Sequence, residues 1–235
     1  MTAYAELQVT SNFSFLRGAA HPQELVATAA ALGHAAVAIT DRNSLAGVVR
    51  AHVAAKQTDI RLVVGARLDF TDSPSVLCFP TNAGAYARLS RLLTLGKRRA
   101  SKGECHLTRT DLYDHDAGQI LVAPAPDSPD RSFVTWLKDL AGHARGRCYL
   151  AASHRYRGDD AARLARLAEI AEATRAPLVA TNDVHYHVPE RRALQDVLSC
   201  IRGHCTIDRA GLRLAANAER HLKTPGEMAR LFRDY

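Results

Sequence analysis

Val179-Ala180-Thr181-Asn182-Asp183-Val184-His185-Tyr186 opens as an apolar strand and closes on an Asp-x-His pair. Residues two apart on a strand face the same side, so a carboxylate and an imidazole are expected to stand together where the strand ends. In a parallel α/β barrel the C-terminal ends of the strands are where chemistry is kept. Asp183 and His185 therefore read as half of a divalent metal site, with the other half due on earlier strands. The first of those, Leu7-Gln8-Val9-Thr10-Ser11, carries no His, Asp or Cys. The chain reads as built around a metal site that has lost most of its ligands.

Outward from that strand, strand and helix signals alternate. Strand-like runs fall at Ala5–Thr10, Ala36–Thr40, Arg61–Leu68, Ser75–Phe79, Ile120–Ala123, Cys148–Ala151 and Leu178–Thr181. Helical stretches fall at Pro22–Leu32, Ser44–Lys56, Ala83–Leu95, Ser132–His143 and Asp159–Thr174. The first has Pro22 at its opening and Gly33 after its end. In the last, Ala162, Leu164, Leu167, Ala168 and Ile170 make an apolar stripe against Arg163, Arg166 and Glu169. About seven such repeats predict a mostly parallel sheet, closed into a distorted seven-stranded TIM-like (β/α) barrel. Val37, Ile39, Val63, Leu121, Val122, Leu150, Leu178 and Val179 are its expected buried strand residues. Gly96–Asp116 and the proline-rich Ala123–Asp130 read as surface loops. Residues 1–203 are assigned to the barrel domain and 204–235 to the start of a connection toward further domains.

At 47% apolar and 23% charged residues, the chain has the material for a real core. No apolar run nears the roughly 20 residues of a membrane span. The N-terminus, Met1 to Glu6, has neither the basic flank nor the apolar stretch of a signal peptide. Both point to a cytoplasmic protein with no membrane partner. The five cysteines are odd in number and scattered, and Cys200 and Cys205 make a poor zinc knuckle; reduced thiols are expected. A net charge of +7 favours anionic partners such as nucleic acid, and Lys97, Arg98, Arg99 and Lys102 form its densest cluster. That cluster is read either as a nucleic-acid or domain contact or as a solvated loop. His21, His34 and His52 read as capping or solvent-facing residues. Ser14, Ser44 and Ser153 have no nucleophile-elbow context, and no Walker or Rossmann glycine loop is present.

Taken together the segments resemble a family. Leu7 to Gly18 resembles the opening of the polymerase-and-histidinol-phosphatase (PHP) domain, and Ala38 to Gly47 its second motif. Ile60 to Leu68 is similar to the third motif and Ala180 to Tyr186 to the last. Leu95 to Glu104 most resembles the error-prone bacterial C-family polymerases, relatives of the polymerase III alpha subunit. The resemblance implies the PHP barrel, which in metal-complete members holds up to three ions and hydrolyses phosphoesters. Clustered cations polarise a phosphoryl oxygen and supply hydroxide at neutral pH, and each needs several fixed ligands.

The match fails at most of the implied ligand positions. Gln8 and Thr10 stand for the first motif's His-x-His, Arg17 for the acidic or His position that follows, Arg42 for the His after Asp41, and Arg67 for an acidic residue. Asp41, Asp183 and His185 remain. The three arginines imply that guanidinium groups fill the space of the lost metals, with Asp183 and His185 either bonded to nearby arginines or holding an ion. No cofactor is expected in this chain unless the site is retained, when zinc or manganese would suit it. Magnesium belongs to polymerase domains absent from these 235 residues.

Three functions follow. The first is a structural and interaction module of an error-prone DNA polymerase acting in repair and translesion synthesis, whose partners are the remaining polymerase domains, DNA and accessory translesion proteins. Alone, it would not polymerise DNA. The second is a free-standing PHP-type metal-dependent phosphoesterase, which needs about nine ligands. The third is a non-catalytic basic nucleic-acid-binding domain.

Overall fold

The computed structural model describes residues 3–235. Met1 and Thr2, at the start of the N-terminal stretch read above for a signal peptide, lie outside the described residues. The chain is an α/β protein that divides into two compact units, each discontinuous in sequence.

Unit 1 comprises residues 1–64, 153–160 and 180–235. Its sheet joins β1 (Ala5–Glu6), β2 (Ala36–Ile39) and β3 (Arg61–Val64) in parallel, with Val37 opposite Leu62. An isolated parallel bridge pairs Val9 with Val184. The crossovers are α1 (Pro22–Ala31) and α2 (Val48–Thr58). The Glu24 carboxylate accepts the His21 amide at the mouth of α1. Leu25, Val26, Val37, Ile39, Val9, Val184 and Tyr186 form the core. Each fully buried aliphatic there stabilises by about 1.5–3 kcal/mol. His34, expected at the surface, is instead buried, and its Nε2 donates to the Lys223 carbonyl at 2.7 Å.

Unit 2 comprises residues 65–152 and 161–179. Its sheet runs in the order β4 (Ala66–Leu68), β5 (Val76–Pro80), β6 (Gln119–Pro124), β7 (Cys148–Ala152) and β8 (Leu178–Ala180). The pairs β4–β5 and β5–β6 are antiparallel, whereas β6–β7 is parallel. Only residues 69–75 join β4 to β5, too few for the dozen or so that a parallel crossover requires. Four helices accompany the sheet: α3 (Ala83–Arg98), α4 (Arg109–Tyr113), α5 (Arg131–His143) and α6 (Asp160–Thr174), the last beginning in unit 1.

The run expected as one strand over 61–68 breaks at Gly65, so the described residues hold eight strands in two sheets. Of the expected buried strand residues, Val37, Ile39, Leu121, Val122 and Leu150 are buried. Val63 on β3, and Leu178 and Val179 on β8, are half-buried, because those strands end their sheets. Gly96–Asp116 is not a plain surface loop. It contains the end of α3 and all of α4, and it buries Leu107 and Leu112. Beyond β8, unit 1 adds α7 (Arg192–Arg202) and α8 (Pro225–Leu231). No described helix is long and apolar enough to cross a membrane.

Candidate functional site

The Asp-x-His pair lies beyond the strand that was expected to carry it. β8 ends at Ala180, and Asp183 has φ +47°, a left-handed conformation that an Asp tolerates better than most residues. The two side chains still converge: Asp183 Oδ1 stands 3.7 Å from His185 Nε2. What brings them together is this left-handed residue, held beside the Val9–Val184 bridge, and not strand alternation.

Both groups are already engaged. Gln8 Nε2 donates to Asp183 Oδ1 at 2.8 Å, while Gln8 Oε1 accepts from the Thr181 hydroxyl at 2.9 Å. Arg220 holds Asp183 Oδ2 at 2.8 Å through Nη2, and its Nη1 lies 3.0 Å from His185 Nε2. A guanidinium has no lone pair to offer, so His185 Nε2 is the acceptor and the ring proton sits on Nδ1. Burial, then the positive charges of Arg220 and Arg42, hold the imidazole below its usual pKa, only partly offset by Asp183. Arg220 thus occupies Asp183 Oδ2 and His185 Nε2, the faces through which either group would coordinate an ion. Sequence reasoning missed it, because it lies in the stretch assigned to a connection and belongs to none of the family motifs.

Asp41 is tied off separately. It accepts from the Ser11 amide at 2.9 Å, the Ser11 hydroxyl at 2.7 Å and the Ser14 hydroxyl at 2.6 Å. Ser14 Oγ in turn accepts the Arg42 amide at 2.9 Å. Burial raises the Asp41 carboxyl, and these bonds pull it back. Gly47 makes the cradle possible, since a Cβ there would stand 2.6 Å from Asp41 Oδ2. Ser14, which has no nucleophile setting in sequence, is a positioning group for this carboxylate.

Beneath the site Glu6 is buried and accepts from the Tyr4 hydroxyl, the Gln8 amide and the Asn182 amide at 2.7–2.9 Å. Burial pushes its carboxyl up to about 7. Thr10 is buried, its amide donating to the Val184 carbonyl. Arg17 and Arg42 are half-buried in unit 1. Arg67 belongs to unit 2, where Asp69 and Ser75 hold its guanidinium at 3.1 and 2.7 Å. His187 is half-buried, and its Nδ1 has no hydrogen-bond partner among the described residues.

The remnant donors do not fit a metal cluster. Each Asp183 oxygen, both Asp41 oxygens and His185 Nε2 already face a donor. Among the described residues no group of three or more His, Cys, Asp or Glu side chains comes together to hold an ion. The recess bordered by His154, Arg155, Arg157, Asp183 and Arg220 has a volume of about 20 Å³. That is room for a single water, against roughly 300–1,000 Å³ for an ordinary small-molecule site.

Residues 6–175 match the family described as the PHP domain. The chain belongs to that family. It is 60% identical to the error-prone DNA polymerase of Caulobacter vibrioides over 97% of this chain, and 53% identical to that of Rhodopseudomonas palustris over 98%. It spans about a fifth of the length of those polymerases, 21% in both cases. A solved amidohydrolase from Chromobacterium violaceum, with sulfate bound and no metal, aligns over 78% of this chain and 88% of its own at a TM-score of 0.57. At 18% identity it is similar in fold alone.

The basic cluster lies in unit 2. Lys97 and Arg98 close α3, Arg99 caps it, and Lys102 is exposed just before the turn at Gly103. These four do not act as one patch. Arg99 Nη1 bridges both Asp111 oxygens at 2.9 and 2.7 Å, which ties the end of α3 to α4.

Proposed function

We propose that the chain is the PHP module of an error-prone DNA polymerase of repair and translesion synthesis, a cytoplasmic structural and interaction domain whose metal site has been replaced by an internal guanidinium. The observation that carries this reading is Arg220, bonded at once to Asp183 and His185, the two ligands that the last motif retains. With Gln8 donating to the same carboxylate, the former ligands become a polar clamp joining the first motif, the last motif and residue 220. The chemistry of the whole polymerase, with its magnesium, lies in domains outside this chain; those domains, DNA and accessory proteins are its proposed partners. The single distorted barrel belongs to the same reading, favoured by the parallel order β1–β2–β3 and the parallel Val9–Val184 bridge.

Two experiments test it. Replacing the matching fifth of the Caulobacter vibrioides polymerase with this chain should preserve primer extension; a chimera that folds but does not extend would count against the module. The isolated chain should show no phosphoesterase turnover with manganese or zinc. Robust turnover lost on Asp183→Ala would favour the free-standing phosphoesterase.

A further inference from the structure

Along α3, Arg91 and Arg98 stand seven residues apart on one face, with Thr94 and Leu95 between them. Together with Ser90, Arg99 and His115 they line an open groove of about 700 Å³, wholly within unit 2. Arg91 and Arg98 are exposed, and among the described residues the side chain of neither has an ion pair or a hydrogen bond. Arg99 differs, being held by Asp111 at one edge of the groove. Two uncompensated guanidiniums therefore flank a floor that includes the half-buried Leu95. Lys97 and Lys102, the other members of the sequence cluster, do not line it.

Seven residues of helix set the two Cα atoms about 10 Å apart. Two helical turns apart on an open face, the two side chains can each take a separate phosphate of a polyanion. A phosphodiester backbone offers regularly repeated charge, and arginine is the side chain best shaped for phosphate. An apolar floor between the arginines tolerates the sugar and base edges beside each phosphate, whereas no backbone donor or base-reading side chain is needed. We infer that this α3 groove binds the phosphate backbone of nucleic acid without sequence preference, through Arg91 and Arg98. The inference does not depend on the reading of the metal site.

The test is fluorescence anisotropy of a labelled oligonucleotide with the whole 235-residue chain, single-stranded and duplex arms run in parallel between about 50 and 200 mM salt. Arg91→Ala/Arg98→Ala should weaken binding at low salt by at least about tenfold, and its log-log salt slope should flatten by about 0.7–0.9 for each phosphate that the variant no longer neutralises. The arm that binds more tightly identifies the form of nucleic acid the groove takes. Lys97→Ala/Lys102→Ala removes the same charge from outside the groove and should cost clearly less. Equal losses in the two double variants would overturn the groove assignment, as would no measurable binding by the wild-type chain. Poly-glutamate that competes as well as DNA would overturn it too, assigning the groove to an acidic protein instead. Unchanged thermal melting of both variants checks that the fold is intact.

Discussion

Asp183 is the residue on which the site turns. It is almost buried, left-handed in backbone, and bonded on separate oxygens by Gln8 and Arg220. Arg220→Ala removes one charged donor from a nearly buried carboxylate, so it should destabilise the chain by about 1–3 kcal/mol, moderated because Arg220 is partly exposed. Asp183→Asn in the same background should recover part of that loss, and urea unfolding of the four species measures the coupling. Glu6 gives a pH signature. Burial raises its carboxyl from 4.5 to about 7, so the folded chain holds a proton that the unfolded chain has released between those values. Its contribution to stability therefore falls as pH rises through that window. His185 acts in the opposite sense: its lowered pKa favours the fold above the unfolded value of 6.5 and loses that effect as pH falls. Glu6→Gln should abolish only the first trend, seen as a smaller loss of stability between pH 5 and 7; the same slope in both proteins would show that Glu6 does not titrate there. At this scale the sequence marked Gln8, Asp183 and His185, which the structure brings together. It did not mark the guanidinium that binds them, since Arg220 is 35 residues from His185 and no local pattern reveals a long-range partner.

At the scale of elements, the helix and strand periods located most of the fold, and the misses have physical causes. The stretch Gly96–Asp116 has no regular apolar period and reads as a loop, yet the end of α3 lies within it and Gly96 packs there. A Cβ at Gly96 would lie 2.6 Å from Leu107 Cδ2 and 2.7 Å from Cys105 Sγ. Gly96→Ala should thus cost about 1–3 kcal/mol through overpacking, despite the better helix propensity of alanine. A melting temperature equal to or above wild type would contradict the packing described. The helix α7 was legible in principle: Leu194, Val197, Leu198 and Ile201 recur at helical spacing after Pro189. The split of 61–68 into two strands was not legible, because both halves are apolar and only Gly65 hints at the break.

For the whole molecule, family membership was read from four short motifs in order, and the match over residues 6–175 spans the first three of them. In the folded chain, serine, glutamine and arginine side chains hold Asp41 and Asp183. The division into two units had no sequence signal, because each is assembled from distant segments. We propose that Arg220 stands where an ion would otherwise bind Asp183 and His185. The most direct test is metal content by mass spectrometry, after the purified chain has been saturated with zinc or manganese and dialysed. Far less than one ion per chain is expected, unchanged by Asp183→Ala. One or more tightly held ions per chain, lost on that substitution, would contradict it.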